Sequence, residues 1–240
     1  MALPYNDPES GKKQQVRLMF NNIAARYDLL NHLLSFSIDR VWRRKAIGML
    51  QELSPLTILD VATGTGDFAI EALRIAPEQV TGTDISEAML EIGVRKVKRR
   101  ELSDRIRFVP GDAENLPFED ATFDAVISGF GVRNFEDPEK GIGEMIRVMR
   151  SGGQVVILEF SKPRNAFFSL LYRFYFSRVL PAIGRMVSKD KSAYRYLPES
   201  VREFPDGEAF LALLKRAGFE KCRFMSLTFG IAAIYTGFKP

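Results

Sequence analysis

Gly64 and Gly66 flank Thr65 at the end of the apolar run Ile58-Leu59-Asp60-Val61-Ala62, within Thr63-Gly64-Thr65-Gly66-Asp67. Glycines in such a turn leave the backbone bare, so a ligand can reach van der Waals contact with it. Thr65 adds a hydroxyl and a backbone N–H at the start of the helix that should follow. Two more acids close similar runs, Asp84 in Gly82-Thr83-Asp84-Ile85 and Asp112 in Gly111-Asp112-Ala113. A carboxylate in the first position can accept hydrogen bonds from both hydroxyls of a ribose. Asp112, with Ala113 beside it, can accept from an adenine amino group. The chemistry is therefore recognition of a nucleoside. Each aspartate alone reads equally well as a cap or turn residue; the order and spacing of the set carry the weight. Ala69 stands where the third glycine of G-x-G-x-x-G would fall, and no Gly-Lys-Ser/Thr follows, which argues against a dinucleotide or a triphosphate. Asp60 reads as an indirect member, orienting loop amides.

Such residues need a parallel sheet, in which ligands sit beyond the carboxyl ends of the strands. From Thr57 onward short β-rich runs alternate with helical patterns, as that architecture requires. The strands are expected at Thr57–Ala62, Val80–Asp84, Ile106–Pro110, Phe123–Ser128 and Gln154–Phe160. Helices are expected over Phe68–Ile75, Ser86–Lys98 and from Asp137-Pro138, where Ile142, Met145, Ile146 and Met149 form one stripe before Gly152-Gly153 turns the chain. Asp206–Ala217 reads as a helix closed by Gly218, and Phe219–Leu227 with Ile231–Phe238 as a closing pair of strands. The fold class is α/β, a doubly wound, mostly parallel seven-stranded sheet. Residues 1–52 form an amino-terminal helical lid, 53–160 the nucleoside-binding core, 161–200 a basic aromatic insert, and 201–240 complete the sheet.

The 240 residues, 46% of them hydrophobic, suffice for one sizeable core. Cys222 is the single cysteine, so no intrachain disulfide and no cysteine-rich zinc site can form, which favours a reducing compartment. It reads as an ordinary buried thiol. The polar residues Met1–Ser10 lack the pattern of a secretory leader, and the most apolar stretch, Phe167–Ile183, is broken by Arg173, Arg178 and Pro181. A cytoplasmic protein is expected. The net charge of +4 is concentrated: residues 162–195 hold eight basic residues against Asp190 alone. Interleaved with Phe167, Phe168, Tyr172, Phe174 and Tyr175, they suit the inner face of an anionic membrane as a peripheral contact, or equally a helix packed on the sheet or in a homo-oligomer.

The three strand-end acids in order resemble the class I methyltransferase pattern, which implies S-adenosylmethionine as methyl donor. Two longer strings resemble the signatures of the ubiquinone/menaquinone biosynthesis C-methyltransferases: Tyr27-Asp28-Leu29-Leu30-Asn31-His32-Leu33-Leu34-Ser35 with Trp42 beyond it, and Arg147 through Ser161. Phe130-Gly131-Val132-Arg133-Asn134 is similar to a third string of that family. The resemblance runs from about residue 12 to the last. It departs at Asp39, where the first signature usually has histidine, at Arg150-Ser151, usually Lys-Pro, and at Gly129, where many relatives have a serine that contacts the cofactor.

The resemblance implies a polyprenyl quinol precursor, demethylmenaquinol or its benzoquinol counterpart, methylated on ring carbon. That carbon becomes nucleophilic once the adjacent hydroxyl loses its proton, so the protein must hold two partners in register and help remove a phenolic proton. No metal is required by this chemistry. The candidate helpers are Arg133 and Asn134, which follow the fourth strand on the ligand side, and Tyr27 from the lid. Arg133 is too basic to take the proton itself and would stabilise a phenolate or orient a water, unless it serves a structural salt bridge. Asn134 would bond the second quinol oxygen, and Tyr27 would stack on or bond the ring. His32, the only histidine, and Trp42 are assigned structural places. Competing readings are a methyltransferase of another lipid or phenol, an RNA-binding or RNA-modifying protein suggested by a pI near 9.2, and a nicotinamide reductase. The bulky aliphatics among the basic residues oppose nucleic acid, and the missing third glycine opposes the reductase.

Overall fold

The computed structural model describes residues 2–5, 7–35, 37–174, 178 and 191–240. Three helices come first: α1 (Lys12–Ile23), α2 (Tyr27–Leu34) and α3 (Ile38–Gly48). The alternating core follows as β1 (Thr57–Val61), α4 (Asp67–Ala72), β2 (Gln79–Asp84), α5 (Glu87–Arg99), β3 (Ile106–Pro110), β4 (Phe123–Gly129), α6 (Pro138–Val148) and β5 (Met149–Phe160). The remainder comprises α7 (Ala166–Phe174), α8 (Lys191–Glu203), α9 (Glu208–Arg216), β6 (Glu220–Leu227) and β7 (Ala232–Phe238). One seven-stranded sheet has the order β3-β2-β1-β4-β5-β7-β6, with β7 antiparallel to both neighbours and the other pairings parallel.

Two-residue periodicity divides the sheet's side chains between two cores. Leu59, Val126, Val155 and Ile157 face α6 and α9, while Ile58, Ala125, Ile127, Val156 and Leu158 face α3 and α4. Central strands covered on both faces must be apolar at nearly every position, which is why these runs scarcely alternate in composition. Helix starts are set locally: the Ser86 hydroxyl accepts from the Met89 N–H, and the Asp137 side chain from the Lys140 N–H, with Pro138 next. No helix among the described residues is long and apolar enough to cross a membrane.

Several boundaries differ from the sequence pattern. The helix expected over Phe68–Ile75 is α-helical only to Ala72 and then tightens into a 3-10 turn, Leu73–Ile75, ahead of Pro77. Met149, placed in the α6 stripe by its spacing, opens β5 instead by pairing with Phe123; the register then shifts, and Gly152 (φ +79°) lies inside an irregular strand rather than before it. A stripe matched by spacing says nothing of where the backbone leaves the helix. The last core helix starts at Glu208 after Gly207, two residues later than expected, and α8 runs past residue 200 to Glu203.

Candidate functional site

The strand order reverses between β1 and β4, the point where connections diverge to opposite faces. A cleft opens there, lined by Gly64 and Ala62 after β1, Asp84 and Ile85 at the end of β2, Gly111–Glu114 after β3, Gly129–Gly131 at the end of β4, and Lys13, Val16, Phe20 and Tyr27 of the lid. Ala62 (φ 56°) and Phe130 (φ 60°) are both left-handed, a conformation costly for non-glycine residues and frequent at binding sites. They sit at adjacent strand ends and both face the cleft. A side chain on Gly131 would come within 2.6 Å of the Ala62 methyl, so glycine is required there for the two strand ends to approach.

On the β1–β3 side the carboxylates are held by amides. Asp84 accepts from the Gly64 N–H and the Ser86 N–H, both at 2.8 Å. Burial holds its carboxyl above the usual range, against the opposing pull of those amides. A buried acceptor at the rim of the cleft, beside a backbone stripped of side chains at Gly64, fits a ribose diol. Asp112 accepts from the Glu114 N–H at 2.9 Å and pairs with Lys13 of α1 at 2.7 Å. Ala113 lines the cleft with it. Asp60 lies beneath, fully buried; it accepts from the Thr63 hydroxyl at 2.5 Å, and burial pushes its carboxyl up to about 7.

Thr65 is placed otherwise than its motif suggests. Its hydroxyl is not part of the cleft lining: it donates to Asp28 of α2 at 2.5 Å and accepts from Lys96 of α5 at 3.0 Å. Its side chain therefore fastens the loop to the lid.

On the β4–β5 side, Asn134 reaches the cleft. Its amide nitrogen donates to the Phe130 carbonyl at 3.3 Å, and its buried Oδ1 has no hydrogen-bond partner. Tyr27 also lines the cleft, its ring edge 3.9 Å from where a side chain on Gly64 would begin, and makes an edge contact with Phe20. Burial raises its hydroxyl's pKa, opposed by a hydrogen bond with Asn31. Arg133 lies behind this wall. Its guanidinium pairs at 2.9 Å with Glu159 of β5, also reaches the Phe130 carbonyl, and stands 5.1 Å over the Phe160 ring. Arg133, expected to face a phenolate unless it served a structural salt bridge, makes that salt bridge with a fully buried carboxylate and is not among the residues that line the cleft. Lys12 completes the support, donating to the Arg133 carbonyl (3.1 Å) and the Phe135 carbonyl (2.6 Å); burial lowers its pKa, reinforced by the Arg133 charge.

Residue spacing did not single out Glu159, Lys12, Lys13, Asp28 or Lys96. Glu159 had a signal, an acid within an otherwise apolar central strand, which demands a buried partner. Asp39, noted only as a departure, is buried against Arg43 at 2.6 Å and accepts from Ser35 at 2.6 Å. Trp42 packs in the core and donates to Thr228 at 2.8 Å. Cys222 is half-buried on the edge strand β6, its thiol pKa raised by burial. In the basic segment, Arg185 and Lys189 lie outside the described residues, as does the side chain of His32.

The profile of the ubiE/COQ5 methyltransferase family matches residues 9–239. The chain is 48% identical over 237 residues to a demethylmenaquinone methyltransferase from Bacteroides fragilis, covering 98% of this chain and 96% of the relative. It is likewise 48% identical over 230 residues to the ubiquinone/menaquinone biosynthesis C-methyltransferase UbiE of Geobacter sulfurreducens, covering 95% and 90%. Among solved structures it is similar to an S-adenosylmethionine-dependent methyltransferase from Thermotoga maritima, with a TM-score of 0.64, 20% identity and coverage of 92% of this chain and 98% of that one. At that identity the likeness speaks to the fold alone.

Proposed function

Because the chain belongs to the ubiE/COQ5 methyltransferase family, we infer that it transfers a methyl group from S-adenosylmethionine to ring carbon of a polyprenyl quinol, converting demethylmenaquinol to menaquinol. The observation that carries this reading is near-full-length identity of 48% to a demethylmenaquinone methyltransferase, in a chain whose cleft sits at the nucleoside position of the sheet. A benzoquinol precursor is the alternative ring, matching the wider name of the Geobacter relative.

When bound, S-adenosylmethionine supplies a sulfonium methyl, an electrophile that a ring carbon can attack in line. Asp84 would take the ribose hydroxyls, its two amide contacts aiming it so that little reorganisation is needed. Gly64 would leave space above it, and Asp112 with Ala113 would meet the adenine. Asn134 offers its unpartnered Oδ1 to a quinol hydroxyl, accepting its hydrogen bond and orienting the ring. Tyr27 packs over the same space and fixes the ring's plane. Arg133 acts at one remove: Glu159 and Lys12 fix the turn that carries Asn134. A water in the cleft would take the phenolic proton; after methyl transfer the methylated ring carbon would give up its own hydrogen as a proton to water and the ring oxygen would regain one, restoring the aromatic quinol.

The lipid substrate also accounts for α7. Phe167, Leu170 and Phe174 are three to four residues apart and exposed on one face, beside the exposed Phe229 and with Arg164 and Arg178 exposed nearby in sequence. That apolar face would lie at an anionic membrane surface, where a polyprenyl quinol resides. Incubation with labelled S-adenosylmethionine and demethylmenaquinol, or its benzoquinol analogue, in vesicles of anionic or neutral phospholipid tests both readings. Label in the menaquinol and faster transfer from anionic vesicles are expected. No label in either quinol overturns the substrate; equal rates from both vesicles overturn the membrane contact.

A further inference from the structure

The lid crosses the carboxyl ends of β3, β2 and β1 in turn and is fastened at each one. Lys13 pairs with Asp112 and with Glu114 (3.0 Å) after β3. Eight residues on, Asn21 accepts from the Ser86 hydroxyl at 2.7 Å after β2. Seven further, Asp28 accepts from the Thr65 hydroxyl after β1. Each partner on the core is a residue of the nucleoside motif or its neighbour. The third fastening differs from the others in being centred on a buried cation outside the cleft. Lys96, on the last turns of α5, keeps only 8% of its side chain exposed. Its ammonium contacts three acceptors on three different pieces of chain: Asp28 of the lid (2.7 Å), Thr65 of the glycine loop (3.0 Å) and Asp67 at the first turn of α4 (2.7 Å).

An ammonium has three protons, and these three contacts use them all. A buried ammonium is tolerated only while its charge and donors are met. With the lid lifted, Asp28 leaves, one of the two carboxylates is lost, and Thr65 loses its own acceptor at the same moment. The glycine loop and the lid therefore cannot change position independently.

We propose that Lys96 is a positioning residue that locks the lid to the glycine loop, so that lid closure and binding of the nucleoside methyl donor form one coupled equilibrium. The proposal rests on the reading that the cleft holds S-adenosylmethionine. A ligand that requires the loop in this form gains affinity from every interaction that holds the lid down, and the closed lid in turn retains the ligand. Lys96 is not among the residues that line the cleft, so its removal acts on cofactor affinity more than on turnover at saturation.

The test measures S-adenosylhomocysteine binding by calorimetry, together with amide exchange over residues 21–31, in Lys96→Met, Lys96→Arg, Asp28→Asn and the double variant Lys96→Met/Asp28→Asn. Loss of a charge-assisted contact should weaken binding by about tenfold or more in Lys96→Met. The KM for S-adenosylmethionine should rise more than kcat falls, and the ligand should cease to protect the lid from exchange. Lys96→Arg should restore part of the affinity. The double variant should bind no more weakly than the worse single one, because both remove the same latch. Asp28 is part-exposed, so Asp28→Asn reports on the latch even if Lys96→Met folds poorly. Unchanged affinity and unchanged lid protection in Lys96→Met or Asp28→Asn overturn the proposal, as do additive losses in the double variant. If the unaltered protein fails to bind S-adenosylhomocysteine, the reading of the cleft fails instead.

Discussion

On the β1–β3 side of the cleft the two acids that line it accept from backbone amides of the strand-end loops, Asp84 from Gly64 and Ser86 and Asp112 from Glu114, with Lys13 of the lid added at Asp112. On the β4–β5 side the residue that reaches the cleft, Asn134, is held by distant side chains: Lys12 lies more than one hundred residues before it and Glu159 twenty-five after it. The first side is a set of local turns that can be aimed without being part of the core. The second is a buried ion pair with a ligand-facing residue attached to it. Substitutions should therefore separate: on the first side they weaken ligand binding and spare the fold, and on the second they damage both.

The largest effect should come from the ion pair. Glu159→Leu leaves the Arg133 guanidinium buried without its counter-charge, and removal of one partner of such a pair typically costs about 3–5 kcal/mol. Urea denaturation should show that loss, and Arg133→Met combined with Glu159→Leu should recover much of it. A Glu159→Leu protein as stable as the parent would erase the distinction between the two sides.

Asp84→Asn should do the reverse. Burial already holds the Asp84 carboxyl above its usual range, so its charge adds nothing to the stability of the unliganded fold. Calorimetry should show S-adenosylhomocysteine affinity reduced by about 2 kcal/mol, the scale of a charged hydrogen bond, with a smaller loss of stability than in Glu159→Leu, because asparagine still accepts from one of the two amides. A large drop in stability would move Asp84 to the structural class.

The third effect, a dependence on pH, concerns Asp60. Its folded value of about 7 lies above the ordinary carboxylate value of 3.8, so the folded state binds the proton more tightly than the unfolded chain does. That contribution is complete below pH 3.8 and is lost as pH rises from there towards 7. In Asp60→Asn this dependence disappears. Thermal melts from pH 5 to 8 should show the parent losing stability relative to Asp60→Asn as pH rises. Parallel curves would mean that Asp60 is ionised at little cost.

Legibility in the sequence follows the same division. The strand-end acids could be read because a turn's function is written in adjacent residues: Gly64, Asp84 and Asp112 with Ala113 all line the cleft. Thr65 stood correctly in the loop, but its hydroxyl direction depends on Asp28 and Lys96, thirty-seven residues before and thirty-one after. Arg133 and Asn134 are neighbours whose side chains part, one to Glu159 and one to the cleft, because a 3-10 turn over Val132–Asn134 aims successive residues in different directions. Nothing local to Arg133 names its partner. The sheet itself was legible down to the antiparallel closing pair, whereas the exact start of β5 depended on pairing with Phe123 that no helical stripe could reveal.

The order β5-β7-β6 also bears on how the chain folds. β6 pairs only with β7, which follows it in the chain. Until β7 follows and slides between β5 and β6, the long apolar edge of β5 stays open and β6 has no place in the sheet. A folding intermediate in which β7 has not yet docked therefore carries an unsatisfied sheet edge, and chaperone engagement or edge-to-edge aggregation would be decided there.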